Sequence, residues 1–225
     1  MQASHAHCGA EAMPGQGMVL SPLPQEEQAR ADFYALLARL WIAAPDGELL
    51  TRLASADMLG SQASQHPLDS AWEKLVLAAG ILEPDAVEEE FNALFISVGT
   101  PKINPYASLY LAGFLNEKPL AGLRDELTQL GLARIGGVGE TEDHLGALCE
   151  VMRLMIAGAP GVKRQSLHRQ KLFFEKHIAS WSRKCCDDIR VASEANFYRL
   201  LADFTEAFFA VDAEAFDMES EMVDH

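Results

Sequence analysis

The feature that most constrains this chain is the spacing of its apolar residues, which keeps the helical period over most of its length. Phe33, Leu36, Leu37, Leu40 and Trp41 fall at i, i+3, i+4, i+7 and i+8, forming one stripe along a helix. Leu120, Leu123, Leu127 and Leu130 mark another helix, and Leu148, Val151, Met152 and Met155 a third. A longer one carries Leu172, Phe173, His177, Ile178 and Trp181, and a last one Phe197, Leu200, Leu201, Phe204 and Phe208. No segment combines sustained alternation with β-branched enrichment, so strands are not expected. The fold class that follows is all-α, a bundle of about nine or ten helices.

Helix breakers divide the pattern. Pro45-Asp46-Gly47 ends the first helix, and the next carries Leu49, Leu50 and Leu53 and reaches Met58. Ser70-Ala71-Trp72-Glu73 has the form of a capping box opening the segment with Leu75, Val76 and Leu77. Pro84 suits a first helical turn, with Phe91, Leu94, Phe95 and Val98 following on one face until Gly99-Thr100-Pro101. A loop through Pro105 leads into an apolar stretch, Leu109 to Leu115. Residues 131–139 hold Gly131, Gly136, Gly137 and Gly139, the densest glycine cluster, which reads as a hinge between lobes. The expected organisation is a flexible tail over 1–24, an N-terminal helical lobe over 25–132 and a hinge over 133–143. A C-terminal helical lobe over 144–211 and an acidic tail over 212–225 complete it.

Composition narrows the function classes. The chain has 225 residues, and a chain of this size buries roughly 70% of its unfolded surface, so no metal or disulfide is required for stability. Its 33 acidic residues outnumber 18 basic ones, giving a net charge of −15. That balance argues against nucleic acid and anionic membranes and favours a cationic partner, although acidity also serves solubility alone. Cys8, Cys149, Cys185 and Cys186 form no C-x-x-C pair, so neither a zinc knuckle nor a thioredoxin-like site is indicated. His5, His7 and Cys8 have no further fixed ligand nearby, and adventitious metal affinity of a loose tail is the expectation. No secretory signal and no membrane span is read, so the expected location is cytoplasmic.

The densest polar cluster is Glu140-Thr141-Glu142-Asp143-His144, between the glycines and an apolar helix. Thr141 as N-cap, with Glu142 and Asp143 in the favourable field of a helix N-terminus, explains much of it. His144 is less comfortable there when protonated. A metal-dependent hydrolase centred on Glu140 and His144, joined by Asp143, would usually need a well-placed third ligand and often a second histidine, and no H-E-x-x-H occurs. A phosphate cradle on Gly136-Gly137-Val138-Gly139 lacks its Lys-Ser/Thr and faces three carboxylates. His177 and Trp181, four apart, fit helix packing better than ligand contact, and Cys149 a packed small hydrophobe.

Three ordered motifs also carry a family resemblance. Glu90-Phe91-Asn92-Ala93-Leu94-Phe95, then Pro105-Tyr106-Ala107-Ser108-Leu109-Tyr110, then Glu140-Thr141-Glu142-Asp143-His144 resemble the TorD/DmsD/NarJ redox-enzyme maturation chaperones. In the family's Glu-Pro-x-Asp-His hinge motif, Glu140, Asp143 and His144 match and Thr141 replaces the proline. Phe174-x-x-His177-x-x-x-Trp181 and Phe197-Tyr198 extend the likeness to residues 27–210. The resemblance implies an all-α chaperone without catalysis or cofactor, guanine nucleotide being ascribed to some members. It implies binding to the twin-arginine signal peptide, or another part, of a molybdenum oxidoreductase precursor, with export delayed until the cofactor is inserted. A receptor for two arginines beside an apolar stretch needs oriented carboxylates next to a greasy surface. Glu140 and Asp143 are the expected arginine contacts, His144 orients Asp143 or meets the peptide, and Pro105, Tyr106 and Ser108 border the site. An assembly protein for a folded partner is the remaining alternative. The glycine-rich connector further suggests a monomer exchanging with a minor domain-swapped dimer.

Overall fold

A computed structural model describes residues 21–59, 66–96, 101–114, 118–132 and 141–223. They form an all-α bundle. The order is α1 (Gln25–Ile42), α2 (Gly47–Ala54), α3 (Pro67–Ala79), α4 (Pro84–Phe91), α5 (Ala107–Ala112) and α6 (Lys118–Gln129). After the 133–143 segment come α7 (Leu145–Ala157), α8 (Leu167–Phe174), α9 (Ser180–Val191) and α10 (Phe197–Val223). π-helical turns at Asn92–Ile96 and Glu175–Ala179 extend α4 and join α8 to α9.

The ends obey local chemistry. Asp46 caps α2 by accepting from the Leu49 amide at 2.8 Å. Pro84 stands in the first turn of α4, where its missing N–H costs nothing. Gly131, at φ +74°, turns the chain out of α6. The capping-box reading of Ser70 does not hold: α3 begins at Pro67, and His66 Nδ1 accepts from the Leu68 amide. A proline at the first helical position, with a histidine acceptor before it, outcompetes the downstream serine. Met58 lies beyond α2 and is exposed, and so is Leu172 on α8.

One core runs through the chain. α1 packs most extensively on α7, while α10 packs on α3 and α9. Phe33 sits edge-on to Trp72, Phe204 and Phe208, each at 5.3 Å between centroids. Residues 133–143 thus separate two stretches of sequence, but the interior is shared across them. Glycine density reports backbone freedom and says nothing of where the α1 stripe finds its partner.

The expected acidic tail is corrected: α10 continues to Val223, and Asp212 and Phe216 are buried. Asp212 Oδ2 accepts from Tyr34 Oη at 2.6 Å and Oδ1 from Arg30 Nε at 2.5 Å. Arg30 also donates to Gln170 on α8 and lies over the Phe216 ring. Tail-like composition concealed a buried carboxylate whose hydrogen-bond donors, Arg30 and Tyr34, both come from α1.

Candidate functional site

The Pro105–Ser108 and Thr141–Gly146 segments meet where α5 and α7 begin. An α-helix leaves its first amides without intrahelical acceptors. Here the two starts satisfy each other. Ala107, the first residue of α5, donates to the Asp143 carbonyl at 3.0 Å, and Leu145, the first of α7, donates to the Pro105 carbonyl at 2.8 Å. Tyr106 and His144 thereby pair as an isolated antiparallel bridge.

The second amide of each helix goes to a side chain. Ser108 N–H donates to Asp143 Oδ2 at 2.9 Å, and Ser108 Oγ donates to the same oxygen at 2.5 Å. Thr141 Oγ1 donates to Asp143 Oδ1 at 2.5 Å. On α7 the Gly146 amide donates to His144 Nδ1 at 3.1 Å. The expected N-cap, Thr141, is therefore replaced by His144, because Thr141 is drawn to Asp143. A protonated imidazole could not accept that bond. Burial pushes the His144 pKa down to about 4 against the opposing pull of Asp143, so the ring is neutral near pH 7. The discomfort of a charged histidine at a helix start does not arise. The Tyr106 ring meets the imidazole edge-on at 5.0 Å.

α7 is set directly on α1 just beyond this junction. A Cβ at Gly146 would lie 2.7 Å from Ile42 Cγ1 and 2.9 Å from the Ala38 carbonyl. Glycine is required there by close approach of two backbones. The loop before Tyr106 is tied down as well, Ile103 N–H donating to the Leu94 carbonyl at 3.0 Å.

The structure brings together Pro105, Tyr106, Ser108, Asp143 and His144, while Glu140 lies outside the described residues. Their exposure differs from the expected peptide surface. Pro105, Ser108 and His144 are buried, and Asp143 is 1% exposed with three donors on its two oxygens. In this conformation Asp143 has no face to offer a guanidinium. Tyr106 is partly exposed, and Leu111 and Phe114, at and just past the end of α5, are exposed. Glu142 pairs with Arg124 on α6 at 2.9 Å.

Further polar contacts tie other helices together away from the junction. Glu90 on α4 accepts from the amides of Asn196, Phe197 and Tyr198 at 2.7–3.0 Å, capping α10 from a distant segment. Glu126 accepts from Lys176 and bonds His177 Nε2, both at 2.8 Å. Burial lowers the His177 pKa and outweighs Glu126. Trp181 Nε1 donates to the His177 carbonyl at 2.7 Å, in keeping with a packing role for that pair. Cys149, Cys185 and Cys186 are free and buried, and burial pushes their thiols up. Among the described residues no helix is long and apolar enough to cross a membrane.

Residues 61–187, more than half the chain, match the model of the nitrate reductase delta subunit family. The chain belongs to that family. Its start-to-start junction lies within the matched region. The chain is 25% identical over 204 residues to chaperone protein TorD of Vibrio cholerae serotype O1 (strain M66-2), covering 84% of this chain and 93% of that one. It is 24% identical over 202 residues to chaperone protein TorD of Shewanella loihica (strain ATCC BAA-1088 / PV-4), with the same coverages. The resemblance to the TorD/DmsD/NarJ group holds. This is a family of redox-enzyme maturation chaperones, and the family member described here is not an enzyme.

Proposed function

We propose that this chaperone works in the cytoplasm on the precursor of a molybdenum-containing oxidoreductase, binding its twin-arginine signal peptide and delaying export until the cofactor is inserted. The observation that carries the reading is the surface beside the junction. Partly exposed Tyr106 and exposed Leu111 and Phe114 offer apolar contact around α5, in a chain of net charge −15. An apolar stretch next to two arginines is complementary to both properties. Asp143 and His144 act here by positioning Tyr106, not by meeting the arginines. No cofactor of the chaperone itself is part of the reading.

Calorimetry with the leader peptide tests it. Tyr106→Ala should weaken binding roughly tenfold, as for a partly buried aromatic anchor. Raising salt should weaken it further, since exposed charges are screened over about 8 Å at physiological ionic strength. No heat of binding to the unaltered protein would overturn the reading. The minor domain-swapped dimer belongs to the same proposal. α1 and α7 lie on opposite sides of 133–140 in sequence, so a neighbouring chain could supply the same packing. Light scattering across a concentration series checks it.

A further inference from the structure

We infer that the groove between the α1–α2 turn and α4 receives a short basic–apolar segment of the client polypeptide. The inference rests on the chaperone reading above and gives the arginines a receptor that Asp143 does not supply.

The groove encloses about 480 Å³. Its apolar lining includes Ala43, Pro45, Pro84 and Phe91, and its rim carries Asp46, Asp85 and Glu88. Pro45 and Phe91 are buried beneath it, whereas the three carboxylates are exposed. Asp85 and Glu88 stand three apart on α4, so they project to one side. Arg39 is the neighbouring cation, but its guanidinium donates to the Ala43 and Ala44 carbonyls and lies 4.0 Å from Asp46. Among the described residues Asp85 and Glu88 have no cationic partner.

This chemistry selects the occupant. A purely apolar segment would take the rim carboxylates out of water without compensation. A small cation would leave the proline and phenylalanine floor unused. An arginine uses both, laying its methylene stem on the apolar floor and turning its planar head to the rim. A segment with two arginines next to apolar residues matches groove and rim together.

The position agrees. The first wall begins at Ala43, one residue after Ile42, which packs against Gly146 beside the junction. The second wall continues from Phe91 to Leu94, whose carbonyl holds the Ile103 amide in the loop before Tyr106. The groove therefore lies at the same end of α1 as the junction.

The test is fluorescence anisotropy with a labelled leader peptide containing two arginines and its Gln-Gln counterpart, against the intact chain and the double variant Asp85→Asn/Glu88→Gln. Both side chains are exposed, so the variant should fold, and its melting curve confirms this. The expected result is roughly fivefold weaker binding of the arginine peptide, as two exposed ion pairs give, with the Gln-Gln affinity unchanged. Equal affinities of both proteins for the arginine peptide would overturn the inference and leave the chaperone reading standing. An equal loss for both peptides would overturn the assignment of the arginines to this rim. No binding of either peptide to the intact protein would overturn the chaperone reading, and this inference with it.

Discussion

Asp143 and Asp85 stand close to helix starts, one spatially at α5 and the other in the first turn of α4, and both can be drawn as partners for a cation. Asp143 is sealed, with two hydroxyls and a backbone amide on its oxygens. Asp85 is exposed and shares a groove rim with Glu88. The difference teaches that position relative to a helix does not decide the use of a carboxylate. The number of donors that the fold brings to it does. A carboxylate with its acceptor sites filled holds structure, and one facing water beside apolar surface is left for a partner.

The largest test of that contrast is Asp143→Ala. It leaves the buried Ser108 amide and hydroxyl, and the half-buried Thr141 hydroxyl, without their acceptor. A loss of about 3–5 kcal/mol is expected, combining unmet donors with removal of a charge-assisted acceptor. For a chain of this size that corresponds to a melting point lower by roughly 10 °C. Urea unfolding measures it. A loss below about 1 kcal/mol would mean that the junction rearranges freely and that Asp143 is available for binding.

The fold was legible because it depends on short-range periodicity. Leu37, Leu40, Trp41, Leu148, Met152 and Met155 follow the helical repeat, and all six are buried. The segment pairing at the site was legible only through resemblance, which set Pro105–Tyr110 beside Glu140–His144. Its internal roles were not. That His144 caps α7 depends on its burial, and that Thr141 serves Asp143 depends on Ser108 arriving from 33 residues away from Thr141 in sequence. The Glu90 cap and the Arg30–Asp212 pair are still harder to read, since each joins segments more than 100 residues apart. No local pattern encodes such a pairing. The acidic end of α10 misled for the same reason: Asp212 resembles its solvated neighbours until Tyr34 and Arg30 are placed against it.

A somewhat smaller effect separates the two regions by pH. Unfolded His144 takes up its proton near 6.5, whereas the folded ring does so only near 4. Between those values the unfolded state binds more protons, so acidification favours unfolding. Stability present above pH 6.5 is lost as pH falls toward 4, by up to about 3 kcal/mol from this residue. His177, also lowered by burial, contributes in the same direction. His144→Asn retains a capping acceptor without a titratable group. Denaturation across this range should show a shallower pH slope in the variant. Identical slopes would mean that His144 titrates normally and that the junction admits water.

The smallest expected effect completes the comparison from the open side. Asp85→Asn/Glu88→Gln removes two carboxylates without cationic partners among the described residues, so no donor is stranded. Two small terms oppose each other. Asp85 loses a favourable interaction with the N-terminal end of α4, while a chain of net charge −15 loses some self-repulsion. The melting point should stay within about 2 °C of the unaltered protein, as for surface substitutions that break no buried contact. Differential scanning calorimetry at low and high salt checks the balance. Salt should narrow any difference, because both terms act through exposed charge. A drop as large as that from Asp143→Ala would show these carboxylates serving the fold after all, and the contrast between a sealed and an open acid would fail.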